Sequence, residues 1–253
     1  MTKVIVLAAG KGTRMENTEL PKVLVTLFDK PLVRFVIEAI QKTDLGRPTV
    51  VIGHQSDFVR EVLGETVDYA YQGEILGTGH AVAACKDHLH GKCDDIMVLY
   101  GDMPFISPET ITRLHDEHAK SGATLTMATT TVPDFKDWRQ SLSDYGRIIR
   151  NLGGHIADAI EVNDGNEAIA TITEVNPSLY CFKADWLWKN IFELRNINAK
   201  SEYYLTDLVN LAFQQKQKIT TMPVNPIEMV GVNTLEQLMQ AEELLQKRVV
   251  RSV

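Results

Sequence analysis

An α/β fold on a mixed, mostly parallel sheet flanked by helices is the architecture this sequence predicts, on three observations. Short apolar runs rich in β-branched residues recur at 4–8, 49–52 and 96–100. Apolar residues at helical spacing occupy segments between and beyond them, at 32–40, 58–63 and 81–89. The first run opens directly into a glycine turn, Ala8-Ala9-Gly10-Lys11-Gly12. Strands alternating with helices imply βαβ units and a sheet covered on both faces.

The remaining elements follow in order. A strand ending at Tyr71 is the third of the series. Ser107 reads as an N-cap, with Pro108 in the first turn and Glu109 near the positive helix end. Residues 123–131 read as a further strand. From Val132 the chain becomes turn-rich, with short strand-like runs at 148–149, 156–162 and 169–174 that suggest a small antiparallel lobe. Residues 184–192 and 203–214 read as helices, and 235–248 as an amphipathic helix capped by Asn233 or Thr234. No internal repeat or linker divides the chain. One domain over 1–253 is expected, with a first lobe over about 1–131, a second over about 132–230 and a terminal helix over about 234–250.

Ala8, Ala9, Gly10 and Gly12 let backbone N–H groups approach an anion closely, and Lys11, Arg14 and Lys22 complement a polyphosphate. Gly10 and Gly12 taken alone read equally well as a tight βα connection. Two common phosphate motifs are absent: Gly12 is followed by Thr13-Arg14 rather than Lys-Ser/Thr, and Met15 stands where G-x-G-x-x-G needs its third glycine.

Over 253 residues the net charge is −7, with 44% hydrophobic and 23% charged residues, which argues for a globular protein and against nucleic-acid or membrane partners. Yet residues 1–34 carry Lys3, Lys11, Arg14, Lys22, Lys30 and Arg34 against only Glu16, Glu19 and Asp29, so the glycine-loop end is locally positive. Cys85, Cys93 and Cys181 form no CxxC pair, and no export signal or membrane span is legible; a reducing cytoplasmic setting is expected.

Further polar clusters follow the strands. They are Tyr71-Gln72-Gly73-Glu74-Ile75-Leu76-Gly77-Thr78-Gly79-His80, Tyr100-Gly101-Asp102, Tyr145-Gly146-Arg147, Glu202-Tyr203-Tyr204-Leu205-Thr206-Asp207 and Gly231-Val232-Asn233. Singly, Thr78 and Asn233 are ordinary helix caps, Asp102 a turn cap, and His80 a packed helix histidine. In order, and preceded by Leu7-Ala8-Ala9-Gly10-Lys11-Gly12-Thr13-Arg14-Met15 with Pro21-Lys22, they resemble the sugar-1-phosphate nucleotidyltransferases. Within that family they are most similar to the uridyltransferase domains of the bifunctional N-acetylglucosamine-1-phosphate uridyltransferase/glucosamine-1-phosphate acetyltransferases.

The resemblance implies a Rossmann-like, GT-A type sheet with a small sugar-binding lobe. It implies Mg²⁺-dependent transfer of UMP from UTP to a sugar 1-phosphate, N-acetylglucosamine-1-phosphate foremost. Leu7, Ala8, Ala9, Gly10, Gly12 and Thr13, with Gln72, Gly77 and Thr78, would bind the nucleotide; the Gln72 amide suits the edge of uracil. Arg14 and Lys22 would be the catalytic cations. Tyr100, Gly101, Gly146, Glu161, Asn176 and Tyr204 would line the sugar site, and Asp102 with Asn233 would hold Mg²⁺.

This chain departs from the family pattern at Asn176-Pro177-Ser178, where a small residue and then glycine usually follow the asparagine. Sugar identity is the property that change touches. Nothing after Arg248 builds a left-handed β-helix, so acetyl transfer is not expected, and a monomer or small homo-oligomer is. The alternatives are nucleotidyl transfer to another sugar 1-phosphate, a non-catalytic nucleotide-sugar sensor, or a GT-A glycosyltransferase using a nucleotide sugar as donor.

Overall fold

A computed structural model describes residues 1–10, 12, 20–53 and 55–251, with side chains to Lys247. Lys11, Thr13 and Arg14 lie outside the described residues. The first half comprises β1 (Thr2–Leu7), the hairpin strands β2 (Thr26–Leu27) and β3 (Lys30–Pro31), α1 (Leu32–Gln41), β4 (Thr49–Ile52), α2 (Ser56–Leu63) and β5 (Asp68–Tyr71). Then come α3 (Thr78–Ala83), α4 (Lys86–Leu89), β6 (Asp95–Tyr100), α5 (Pro108–Ser121) and β7 (Leu125–Thr131). The second half adds β8 (Gly146–Arg150), β9 (Ile156–Ile160), α6 (Glu167–Ala170), β10 (Glu174–Asn176), β11 (Tyr180–Lys183), α7 (Ala184–Asn190), α8 (Asp207–Gln214), β12 (Ile219–Pro223) and α9 (Leu235–Arg251).

Among the described residues the main sheet runs β5-β4-β1-β6-β11-β7-β10-β8-β9, with β12 also paired to β7. β1, β4, β5, β6, β7, β8 and β12 run one way and β9, β10 and β11 the other, which is the mixed, mostly parallel sheet expected. Leu7 stands opposite both Val51 and Tyr100, and Ile52 opposite Tyr71. The carboxyl ends of four parallel strands therefore finish level, where an open α/β sheet holds its ligand.

Strand alternation divides the core. Val4 and Val6 of β1 point to the layer containing Val33, Val36, Ile37 and Ile40 of α1 and Ile111 and Leu114 of α5. Ile5 and Leu7 point to the opposite layer, with Val82, Leu187 and Leu208. A third cluster seats α9, through Ala241, on Leu27, Leu32, Phe105, Val230 and Val232.

Three expectations need correction. Residues 169–174 are not one strand: the Asn166 side chain accepts from the Ile169 N–H at 3.0 Å and caps α6, and pairing starts only at Glu174. The helix expected over 203–214 starts at Asp207, because the backbone at Tyr203 and Leu205 bonds to the Leu76–Gly79 turn instead. The helix expected over 81–89 starts at Thr78 and breaks between α3 and α4. The second lobe extends the sheet of the first. β11 lies between β6 and β7, and β12 also pairs with β7, so both lobes share one sheet.

Candidate active site

The glycine loop leaves β1 with Ala8 held by its N–H to Val51 O at 3.0 Å. Leu7, Ala8 and Ala9 are buried, whereas Gly10 is exposed with nothing within 4 Å of where a Cβ would sit. Gly12 has φ +66° and packs on Lys22 so closely that a Cβ would lie 2.5 Å from the Lys22 Cβ. Gly12 thus lies against the turn that carries Lys22, in a conformation suited to glycine.

Lys22 Nζ donates to Asp102 Oδ2 at 2.5 Å and to Asn233 Oδ1 at 2.7 Å. These oxygens come from chain segments 131 residues apart, and they converge on one cationic nitrogen. Asp102 follows β6, where Gly101 N–H bonds to Leu7 O at 2.9 Å. A Cβ on Gly101 would meet Leu7 O and Val23 Cγ1 at 3.2 Å, so the backbone is closely packed at this position. Asn233 is fixed by its own backbone. Its N–H bonds to Gln237 Oε1 at 2.7 Å while Gln237 N–H bonds to Thr234 Oγ1 at 3.2 Å, a capping box at the start of α9. Val232 N–H to Asp102 O at 3.0 Å stitches the two segments together.

No group of three or more His, Cys, Asp or Glu side chains suited to a metal occurs among the described residues. The donor set fits Mg²⁺ nonetheless. Mg²⁺ usually takes one or two protein carboxylates and completes its octahedron with phosphate and water. An Asp carboxylate and an Asn carbonyl already converging on a cation satisfy that requirement.

Gln72 is buried, and its amide Nε2 meets His80 Nδ1 at 3.0 Å and Gly77 O at 3.3 Å. His80 therefore acts as the acceptor that orients Gln72, a role the sequence reading did not give it. Gly77 has φ +108°, and a Cβ there would lie 2.7 Å from Tyr203 O and 2.8 Å from Tyr203 N. The Leu76–Gly79 turn is laced to the other half of the chain by Tyr203 N–H to Leu76 O and Gly79 N–H to Tyr203 O, both 2.8 Å. Thr78 Oγ1 accepts from Leu205 N–H at 3.0 Å, so the hydroxyl ties lobes together rather than capping α3, whose cap position is Gly77.

The residues expected in the sugar site come together around a chain of hydroxyls. Asn176 Nδ2 donates to Tyr180 Oη at 2.6 Å, Tyr180 Oη to Thr206 Oγ1 at 3.4 Å, and Thr206 Oγ1 to Glu161 Oε1 at 2.6 Å. Gly146 lies against Glu161, with a Cβ position 3.5 Å from Oε1. Ser178 sits at φ +60° with its N–H on Asn176 Oδ1 at 3.0 Å. Its side chain lies beside Tyr100 and Tyr180, and Thr78 lies beside Tyr100. Burial pushes the Tyr100 phenol well above its ordinary value and Tyr180 up to about 12. Burial likewise raises Glu161, against the pull of Thr206 and Lys200. Tyr204 is buried and pushed up to about 12 by desolvation and neighbouring carboxylates. Ser178, Tyr180, Thr206 and His80 are thus site members the sequence reading left out. Ser178 carried a signal in departing from the family's glycine, and His80 and Thr206 stood inside the quoted clusters without being given a role, whereas Tyr180 carried none.

A glycine loop after the first of several level strands, a carboxylate after the neighbouring strand and a lysine bound to it are the parts of a nucleotidyltransferase domain. The model of the MobA-like NTP transferase domain matches residues 4–180, and the chain belongs to that family. It is 36% identical over 258 residues to the bifunctional protein GlmU of Geotalea daltonii, covering 100% of this chain and 55% of that protein. It is 40% identical to the GlmU of Thermotoga maritima, over 99% of this chain and 53% of that protein. To the GlmU of Desulfotalea psychrophila it is 35% identical, over 99% and 72% respectively. The chain thus spans about half the length of the first two relatives. Its fold is that of a UDP-glucose pyrophosphorylase solved with UDP-glucose, with a TM-score of 0.76 at 19% identity over 98% of this chain and 99% of that one. Tyr204 and Asn233 lie beyond the matched family segment, yet the fold returns both to the cleft. Among the described residues no helix is long and apolar enough to cross a membrane.

Proposed function

We propose that this chain transfers UMP from UTP to a sugar 1-phosphate, N-acetylglucosamine-1-phosphate in the first instance, releasing pyrophosphate and UDP-N-acetylglucosamine. The observation that carries the reading is the convergence of Lys22, Asp102 and Asn233 beside the glycine loop. The GlmU relatives support the choice of base and sugar. A phosphate oxygen of the sugar phosphate attacks the α-phosphorus of UTP in line; the bond from that phosphorus to the β-phosphate oxygen breaks, and pyrophosphate leaves. The nucleophile is already an anion, so no general base is required, and the barrier lies in bringing two anions together. Lys22, with Arg14 from the loop, neutralises that charge, and Gln72, held by His80, reads the uracil edge. Mg²⁺ held by Asp102 and Asn233 would supply further charge neutralisation.

The test is pyrophosphate release with Mg²⁺, UTP and a panel of sugar 1-phosphates. Turnover with N-acetylglucosamine-1-phosphate is expected. Asp102→Ala should lose at least about a hundredfold in turnover, the scale of one removed electrostatic group; near-normal Mg²⁺-dependent turnover in that variant would refute the reading. Ser178, whose side chain lies beside Tyr100 and Tyr180 where the family usually has glycine, favours one second reading, the same transfer to a different sugar 1-phosphate. A different winner in the panel would establish it.

A further inference from the structure

We propose that Tyr145 is a positioning residue: its hydroxyl braces the 229–233 loop and so fixes Asn233 in register with Asp102. The inference rests on the assignment of Asp102 and Asn233 as the cation-binding pair.

Tyr145 Oη donates to Met229 O at 2.8 Å, and Gly231 packs closely against the same phenol oxygen. One hydroxyl thus bonds to one residue of the loop that delivers Asn233 and packs on another. The approach is close: a Cβ on Gly231 would lie 2.8 Å from Tyr145 Oη, 3.5 Å from Asn233 Nδ2 and 3.9 Å from Asp102 Oδ2. Only glycine lets the phenol, the carboxylate and the amide share that corner.

Tyr145 is braced from behind in turn. Arg147 is 1% exposed, and its guanidinium donates to Tyr145 O and, at 2.9 Å, to Ser143 O, with the ring of Phe135 4.6 Å away. The buried guanidinium is aimed at the carbonyls of the Tyr145 turn. A connected path therefore runs from Arg147 through the Tyr145 turn and the 229–233 loop to the oxygens gathered at Lys22.

Tyr145→Phe keeps the ring and removes only the brace. With Mn²⁺ alone as the probe, paramagnetic resonance titration of the full chain should show binding weakened about fivefold, the worth of one neutral hydrogen bond. The metal concentration for half-maximal rate should rise by the same factor, while kcat at saturating metal and KM for UTP stay within about twofold. In an Asn233→Ala background, Tyr145→Phe should have no further effect on Mn²⁺ binding, because its action runs through Asn233. Unchanged Mn²⁺ binding in Tyr145→Phe, or a full additional loss in the double variant, overturns the proposal. Gly231→Ala, whose Cβ displaces the hydroxyl, is the second variant and should weaken Mn²⁺ binding at least as much; unchanged binding there also overturns it. Asp102→Ala separates the two levels. If Asp102→Ala leaves Mn²⁺ binding intact, the assignment of the metal pair fails and the proposal with it; if it abolishes binding while Tyr145→Phe does nothing, the Tyr145 role alone fails.

Discussion

Single residues set the shape of the cleft, most clearly where the backbone leaves no room for a side chain. Gly77 combines φ +108° with a Cβ position 2.7–2.9 Å from Tyr203 and Glu202. Gly77→Ala should therefore cost about 2 kcal/mol or more, through left-handed strain plus displacement of backbone. Denaturant midpoints would read the stability loss, and UTP binding should fall with it as the Gln72–Gly77 contact is lost. Ser178 poses the opposite problem, a side chain at φ +60° where the family usually has glycine. Ser178→Ala keeps that strain and loses the hydroxyl, whereas Ser178→Gly loses the hydroxyl and relieves the strain. The glycine variant should be the more stable of the two by about 0.5 kcal/mol, net of its unfolded-state entropy. Thermal melts of the pair check it. Residue types after the first strand made the glycine loop legible, whereas Gln72, Asp102 and Asn233 were legible only through the family resemblance carried by the order of the clusters. His80 and Tyr180 were not, because their roles depend on which distant amide or hydroxyl each meets.

At the level of elements, periodicity located the helices and strands that face a core, and local chemistry decided the rest. Residues 107–110 show the first case: Ser107 Oγ accepts from Thr110 N–H at 3.1 Å, and the helix begins at the cap-and-proline signal. The late start of α8 shows the second, since nothing in 203–206 marks its backbone as already bonded to another turn. That start places Asp207 in the first turn of α8, where the helix dipole favours a carboxylate. Burial and the charges of Glu161 and Asp164 outweigh the dipole and push Asp207 from 3.8 up to about 6. For an acid raised on folding, the stabilising contribution is complete below pH 3.8 and lost as pH rises through 6. Asp207→Asn, which mimics the protonated form, should melt higher than the parent at pH 7.5, with the difference vanishing near pH 4. A melting temperature at pH 7.5 equal to or below the parent's would show that the charge is compensated.

On the scale of the molecule, the two lobes lack separate cores. The layer holding Val4 and Val6 also contains Val175 and Leu179, and the layer holding Ile5 also contains Ile148, Ala159 and Phe182. Unfolding should accordingly be a single cooperative transition, with calorimetric and van't Hoff enthalpies equal. Two resolved transitions would show that the lobes are independent. The sequence revealed the alternation of the first half but not this merging. β11 and β12 are short, and what makes them strands is pairing with partners some fifty to ninety residues distant along the chain. The placement of β11 also bears on biosynthesis. A ribosome that has delivered residues 1–131 has made β6 and β7 but not the strand that joins them. Until residue 183 emerges, both present unbonded edges on which a neighbouring nascent chain could stack. The four residues Tyr180–Lys183 close both edges at once when they arrive to bridge that gap.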